Sequence, residues 1–330
     1  MPHVLVAGHI HEAGVALLRE ARDVTFDLVD EVSTQSYAPL VASADAVLIR
    51  TQPMPASVIE QAERLKLVSR HGVGYDAVDV AALNRRGIPL TIVGDVNSTA
   101  VAEHTMMLIL ALAKRTLAYD RATRQSDWLY RNRLEAFELS NRTLLVLGFG
   151  RIGRKVARLA QAFDMNVMVY DPFVPAEAIR QAGLTPVADL ISSLGLADVV
   201  TIHVPLSPAG AVIGWRELAA MKPTALVVNT ARGGLVEESA LAAALAEGRL
   251  GGAGLDVFAA EPPPGDHPLF GHERVVLSPH MASLTQECAA RMAVDAAQNV
   301  LDFFSGRLNG ALVVNAEHIS PAARQQLRVQ

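Results

Sequence analysis

The sequence predicts an α/β protein made of two doubly wound parallel-sheet domains. Three observations predict it. Short runs that are apolar at every position recur along the chain, separated by helical segments, as parallel strands covered on both faces require. A length of 330 residues suits about two domains, each with its own core. One apolar run, Leu144-Leu145-Val146-Leu147, feeds straight into Gly148-Phe149-Gly150-Arg151-Ile152-Gly153, a strand–turn–helix junction.

In the first hundred residues, strands are expected at 4–7, 46–49, 67–69 and 90–93, with helices at 12–20, 56–62 and 78–86. Asp95-Val96-Asn97-Ser98 is a turn of helix-capping residues. One long helix over 99–119 follows. It is apolar nearly all round in its middle, so it is buried in a core or in a subunit contact. Residues 127–141 are irregular and carry Trp128, Tyr130, Arg131 and Arg133. Further strands are expected at 143–147, 167–170, 199–203, 225–229, 252–255 and 275–277, with helices between them. The last strong helix, 285–305, places Met292, Ala296, Val300 and Phe304 on one face. No strand of the second unit follows it, so it is expected to cross back to the first domain. The polar tail after Ser320 is expected to be loosely ordered. A cleft between the two domains is the expected ligand site.

Composition removes several classes of function. A net charge of −5 gives no general attraction to nucleic acid or to an anionic membrane. Cys288 is the only cysteine, which rules out an internal disulfide and a cysteine-built metal cluster. The longest apolar run, residues 106–113, is far too short to span a bilayer. The sequence opens on a strand rather than a basic-then-apolar leader, so a cytoplasmic location is expected.

The glycine junction points to a dinucleotide. Gly148 allows a tight turn, Gly150 lets backbone approach a pyrophosphate, and Gly153 lets helix pack on strand. Arg151 and Ile152 open the helix, whose free N–H groups and dipole favour phosphate. The next strand ends at Asp171, where a carboxylate can accept hydrogen bonds from an adenosine ribose. Pro172 and Phe173 follow, with no arginine for a 2′-phosphate, which favours NAD over NADP.

Three polar residues follow candidate strands: Arg232 after 225–229, Glu261 after 252–255 and His280 after 275–277. Ligands of open α/β sheets bind outside the carboxyl ends of strands, so all three can reach one crevice. An arginine fork grips a carboxylate and polarises a neighbouring carbonyl. Histidine exchanges a proton near neutral pH, and a carboxylate on its other nitrogen fixes its tautomer. Beside a dinucleotide, this set suits hydride transfer at an alcohol carbon next to a carboxylate. Taken singly, each has a plain structural use: a surface ion pair, a solvated loop or a turn.

Nearly the whole chain resembles the D-isomer-specific 2-hydroxyacid dehydrogenase family. The anchors are His71-Gly72-Val73-Gly74-Tyr75-Asp76, Asn97-Ser98 with Val101-Ala102-Glu103-His104, and Gly148 to Gly153. His203-Val204-Pro205-Leu206, Asn229-Thr230-Ala231-Arg232-Gly233-Gly234, Gly254-Leu255-Asp256-Val257-Phe258 with Glu261-Pro262, and Ser278-Pro279-His280 complete the set. The resemblance implies a Rossmann cofactor domain (99–285) inserted into a flavodoxin-like substrate domain (1–98 and 286–330). It implies that His280 is the proton donor and acceptor, that Glu261 orients it, and that Arg232 holds the substrate carboxylate. Backbone at Val73 and Gly74 would share that carboxylate. His203, Val204 and Pro205 would lie along the adenosine, and Ala231 and Asp256 near the nicotinamide. It also implies a homodimer, a role that suits the helix around Met106 to Ala113.

The resemblance implies a small 2-hydroxy or 2-oxo acid as substrate. Arg50-Thr51 resembles the entry of phosphoglycerate dehydrogenases, where an arginine helps hold phosphate, and Arg70, His71, Arg131 and Arg133 add positive charge. Those cations suit 3-phosphoglycerate. Hydroxypyruvate or glyoxylate reduction is the near alternative. A non-catalytic NADH-sensing binding protein and a formate dehydrogenase are further alternatives, and no residue speaks specifically for either.

Overall fold

The structure, a computed structural model, describes residues 1–31, 33–206 and 210–328. These fall into two compact units, Met1–Asn97 with Leu284–Gln330, and Ser98–Ser283.

The first unit begins with β1 (His3–Ala7), α1 (Glu12–Glu20) and β2 (Thr25–Val29). It continues with α2 (Thr34–Tyr37), β3 (Ala46–Ile49), α3 (Ala56–Gln61), β4 (Leu67–Arg70), α4 (Val80–Arg86) and β5 (Leu90–Thr91). The strands are all parallel, in the order β2-β1-β3-β4-β5. Residues Ala46 to Ile49 are fully buried, which is why that strand is apolar throughout. β2, which the sequence did not disclose, is the edge strand. Three of its five residues are exposed, so it carries no apolar run. Strand order reverses between β1 and β3, the place where such sheets bind ligands. Arg50 follows β3 there, and its Nη1 donates to the carbonyl of His9 after β1 at 2.7 Å.

The second unit opens with α5 (Ser98–Ala113) and α6 (Thr116–Arg124). The single helix expected over 99–119 is therefore two. The chain breaks at Arg115, which sits in the left-handed region at φ 53°. Long-range bonds hold it there: Arg115 Nε to Glu135 at 3.1 Å and Nη1 to the Glu273 carbonyl at 3.3 Å. The next elements are β6 (Thr143–Leu147), α7 (Arg151–Ala162), β7 (Asn166–Tyr170), α8 (Ala176–Gln181), β8 (Thr185–Pro186) and α9 (Leu190–Leu196). Then come β9 (Val199–Ile202), α10 (Trp215–Ala220), β10 (Leu226–Asn229), α11 (Glu238–Ala246), β11 (Gly252–Leu255) and β12 (Val275–Leu277). All seven strands are parallel, ordered β12-β11-β10-β9-β6-β7-β8. β8 was not expected; it is a two-residue edge strand containing a proline. The order reverses between β6 and β9. α5 lies close on β11: a Cβ on Gly254 would fall 3.1 Å from Leu108 Cβ. Leu108, Ile109 and Leu112 join Val146, Val169 and Val228 in one core.

The closing segment belongs to the first unit. α12 (Gln286–Phe304) packs along α1, and its Ala296 carbonyl accepts the Ser69 hydroxyl of β4 at 2.9 Å. As far as Arg328 the tail is not loose as expected. β13 (Leu308–Asn309) pairs with β14 (Leu327–Arg328), and Ser320 caps α13 (Pro321–Arg324) by accepting the Ala323 N–H at 3.2 Å. Backbone pairing orders this segment, and backbone pairing leaves no mark in side-chain polarity. The two sheets bear out the predicted α/β class. Among the described residues no helix is long and apolar enough to cross a membrane.

Candidate active site

β6 ends at the glycine turn. Gly148 adopts φ +93°, and a Cβ there would fall 2.7 Å from the His203 carbonyl oxygen. A Cβ on Gly153 would fall 2.0 Å from the Gly148 carbonyl oxygen, so no larger residue lets α7 start this close to the turn. Gly150 is different: among the described residues a Cβ there would meet nothing within 4 Å. α7 starts at that open point without a side-chain cap, leaving first-turn N–H groups of Arg151, Ile152 and Gly153 for an outside acceptor. An open glycine beside a helix N-terminus at the strand-order reversal fits a pyrophosphate.

Asp171 is fixed across the same turn. Its Oδ2 accepts the Phe149 N–H at 2.8 Å and its Oδ1 accepts the Phe173 N–H at 2.9 Å. Each oxygen keeps a lone pair for a further donor. Asp171 also lines an open pocket of about 400 Å³ with Tyr170, Pro172, Arg180 and Val187. The His203 ring faces inward. Its Nε2 lies 2.9 Å from Thr201 Oγ1, and its Nδ1 has no partner among the described residues. Burial pushes its pKa down to about 3, so the ring is neutral. Val204 beside it is half-buried and Pro205 exposed.

The second cluster joins three loops. Asn229 shapes the first: its Oδ1 accepts the Ala231 N–H at 3.0 Å and its Nδ2 donates to the Arg232 carbonyl at 2.8 Å. Arg232 Nη1 donates back to the Ala231 carbonyl at 2.6 Å. At Gly233 the loop touches Phe258 backbone to backbone, since a Cβ would fall 1.7 Å from the Phe258 carbonyl oxygen. On its other side Phe258 donates its N–H to Glu261 Oε1 at 3.0 Å, and Glu261 Oε2 lies 2.6 Å from His280 Nδ1. Partial burial pushes the Glu261 pKa up. The His280 hydrogen bond, the Phe258 N–H and the charges of His280 and Arg232 outweigh it and hold the carboxyl below its usual range. An ionised Glu261 only accepts, so His280 Nδ1 carries the donated proton and Nε2 is the ring atom left for exchange.

His280 itself has φ 50°, the left-handed region. Asp256 holds it there. The Asp256 carbonyl accepts the His280 N–H at 2.8 Å. Its Oδ1 accepts the Ser278 hydroxyl at 2.6 Å and the Met281 N–H at 2.9 Å, and its Oδ2 the Ala282 N–H at 2.9 Å. The Asp256 side chain is fully buried, and these bonds fold the His280 turn. Three side chains to which the sequence assigns no role also shape the site. Glu238 accepts the Ala259 N–H at 2.7 Å and lies 3.1 Å from His267 Nε2, clamping the loop that carries Glu261. His104 reaches the His280 turn from α5, with Nε2 2.8 Å from Ser278 Oγ. Glu238 and His267 are 29 residues apart with no shared motif, so nothing in the sequence pairs them.

In the first unit, Arg50 is half-buried after β3, and Val73 and Gly74 are half-buried after β4. His71 beside them is buried, and its Nε2 has no partner among the described residues. Burial, then the charges of Arg70 and Arg50, push its pKa down to about 3.

The second unit therefore has the fold and glycine turn of a dinucleotide-binding domain, with an acid–base pair and an arginine on its strand ends. Residues 106–282 match the family model "D-isomer specific 2-hydroxyacid dehydrogenase, NAD binding domain". A D-3-phosphoglycerate dehydrogenase of Methanocaldococcus jannaschii is 36% identical over 321 residues, 97% of this chain and 60% of that protein. A glyoxylate reductase of Korarchaeum cryptofilum is 36% identical over 322 residues, 94% of this chain and 96% of that one. A crystal structure of D-lactate dehydrogenase from Aquifex aeolicus, complexed with NAD and lactic acid, superposes with a TM-score of 0.83 at 27% identity, covering 92% of this chain and 96% of that one. The chain belongs to the D-isomer-specific 2-hydroxyacid dehydrogenase family and carries its NAD-binding domain. It spans between 52% and 60% of the length of the first four phosphoglycerate dehydrogenases it matches.

Proposed function

We propose that the chain is a cytoplasmic NAD-dependent D-2-hydroxyacid dehydrogenase acting on C2 of a small 2-hydroxy or 2-oxo acid. The observation that carries this is the 2.6 Å contact between Glu261 and His280, with the Arg232 charge acting on Glu261. NADH, when bound, supplies the hydride. Gly148, Gly150, Arg151, Ile152 and Gly153 hold the pyrophosphate and Asp171 the ribose, with Val204, Pro205 and Ala231 along the rest of the cofactor. Arg232 binds the substrate carboxylate and polarises the neighbouring carbonyl. His280 donates a proton from Nε2 to the C2 oxygen as reduction proceeds and takes it back in the reverse direction. Glu261 holds the ring in the tautomer this needs. Asp256 acts through the turn it folds.

Substrate recognition falls to the first unit, through backbone at Val73 and Gly74 and through Arg50. Arg50 stands at the strand-order reversal of its sheet and acts with Arg70 on His71, which favours an acid with a second anionic group, such as 3-phosphoglycerate. Glyoxylate or hydroxypyruvate is the second reading. It draws on the glyoxylate reductase whose length the chain matches almost fully. NADH oxidation against glyoxylate, hydroxypyruvate, pyruvate and phosphohydroxypyruvate, with NADPH in parallel, tests both. Loss of phosphohydroxypyruvate preference in Arg50→Ala supports phosphate recognition. No turnover with any acid sinks the assignment.

A homodimer fits the outer face of α5. Met107, Leu110 and Ala111 border an open apolar groove with Leu159 and Phe163, and Met107 and Phe163 are about two-fifths exposed. Sedimentation at micromolar concentration checks this; a monomer contradicts it.

A further inference from the structure

We propose that His104 is a positioning residue that sets the His280 turn from α5 through the Ser278 hydroxyl. The inference rests on His280 being the proton-transfer group, as argued above. The geometry runs through one partly buried chain that ends on the buried Asp256. His104 Nε2 is 2.8 Å from Ser278 Oγ and 3.6 Å from Asp256 Oδ1, and the two side chains are 11% and 0% exposed. Ser278 has a single hydroxyl proton, and it goes to Asp256 Oδ1 at 2.6 Å. The Ser278 oxygen is then left to accept, so His104 Nε2 carries a proton and donates it. Asp256, held on that side, accepts the Met281 and Ala282 N–H groups directly after His280.

Two features make this more than local packing. His280 stands at φ 50°, a conformation that costs a non-glycine residue energy and persists only where surrounding bonds enforce it. Asp256, the acceptor for that turn, is in turn oriented by Ser278. The donor at the far end also sits on a rigid base. His104 lies one helical turn before Leu108, and Leu108 is pressed onto β11 where only Gly254 leaves room. The next residue, Thr105, lies 2.9 Å from Thr230 Oγ1 in the loop that carries Arg232. One turn of α5 thus braces the loops of two of the three site residues. The spacing is only legible in three dimensions, because His104 and Ser278 are 174 residues apart.

The test compares His104→Met with His104→Gln. Methionine keeps apolar bulk without a donor, while glutamine places an N–H close to where imidazole Nε2 lies. Three quantities are read: hydrogen exchange of the Met281 and Ala282 amides, NADH affinity by fluorescence, and kcat on the best 2-oxo acid. His104→Met is expected to speed exchange at both amides about tenfold or more. It should lower kcat about 10- to 100-fold, the range for a catalytic group displaced by about an ångström. NADH affinity should stay within about twofold. His104→Gln should recover most of both losses. If methionine and glutamine behave alike, the donor role is wrong. If the methionine variant does not fold, Ser278→Ala cuts the same relay and must reproduce the fast exchange; normal protection there overturns the proposal. If the unaltered protein reduces no 2-oxo acid, the functional reading fails on its own, and amide exchange still decides the part played by His104.

Discussion

Gly233 and Phe258 meet backbone to backbone, so close that a Cβ on Gly233 would fall 1.7 Å from the Phe258 carbonyl oxygen. The contact ties the Arg232 loop to the residue whose N–H holds Glu261 at 3.0 Å. A methyl group cannot be absorbed by a rotamer change there, because what it meets is main chain. Gly233→Ala should therefore destabilise the second unit by about 1–3 kcal/mol, the usual overpacking range. It should also lower kcat/KM, since Arg232 and Glu261 are pushed apart. Urea midpoints and turnover measured together check this. Parent-like values of both would mean the loops do not touch as described.

On the proposed function, Arg232 is the residue whose chemistry tolerates least change. Arg232→Ala should lower kcat/KM about 10²- to 10³-fold, the range for removing one donor aimed at developing charge. NADH affinity should hold. Arg232→Lys should recover little, because an ammonium lacks the planar two-donor fork. Steady-state kinetics beside NADH titration decide it; a lysine variant near the parent rate would show that charge alone suffices.

Much of this was legible in the sequence, and the exceptions share a cause. The central strands β3, β6 and β9 announce themselves because both their faces are buried, so each residue is apolar. The glycine turn announces itself because space forces its composition. β2 and β8 lie at sheet edges, where one flank has no neighbour and apolar patterning weakens. The break at Arg115 and the ordered tail depend on partners far away in the sequence. So do the inward turn of Asp256, the Glu238–His267 clamp and the reach of His104. The chemistry-bearing residues were visible one at a time, while the bonds that aim them exist only in the folded chain.

Asp171 is held by two backbone N–H groups before any ligand arrives, so its charge is placed in advance. Asp171→Ala removes an acceptor and also frees the Phe149 end of the glycine turn. NADH affinity should fall about 10- to 100-fold, as for loss of a hydrogen bond to a charged group. Discrimination against NADPH should relax, because the carboxylate no longer repels a 2′-phosphate. Paired NADH and NADPH titrations read both effects. A parent protein that already prefers NADPH would contradict the role given to Asp171.

On the proposed function, Glu261 gives the site a pH dependence. Its folded pKa is depressed below the ordinary 4.5, so its pairing with His280 is complete above that value. The pairing is lost as pH falls through the lower, folded value. Turnover should therefore hold its Glu261-dependent part down to about pH 4.5 and lose it below. Glu261→Gln keeps the shape without the charge. Its kcat should drop about 10²-fold at neutral pH, a typical share for a general acid–base group. The acid loss due to this carboxylate should be absent from its profile. An unchanged acid limb in Glu261→Gln would assign that limb to another group.

His203 offers the last test, one of stability. Burial holds its ring neutral, with a pKa of about 3 against an ordinary 6.5. Below pH 6.5 the unfolded chain takes up a proton that the folded unit refuses until about pH 3. The unfolded state then binds more protons, so stability falls as pH drops through that window and is unaffected above it. The slope from this one ring is at most about 1.4 kcal/mol per pH unit. Both tryptophans, Trp128 and Trp215, lie in the Ser98–Ser283 unit, so their fluorescence follows the unit that holds His203. Urea midpoints by fluorescence should fall between pH 6.5 and 4.5 in the parent and fall less steeply in His203→Asn. His71, equally depressed in pKa but in the other unit, serves as the control: His71→Asn should leave the fluorescence slope unchanged. Equal slopes in the parent and His203→Asn would mean that the His203 ring is not held neutral behind the glycine turn.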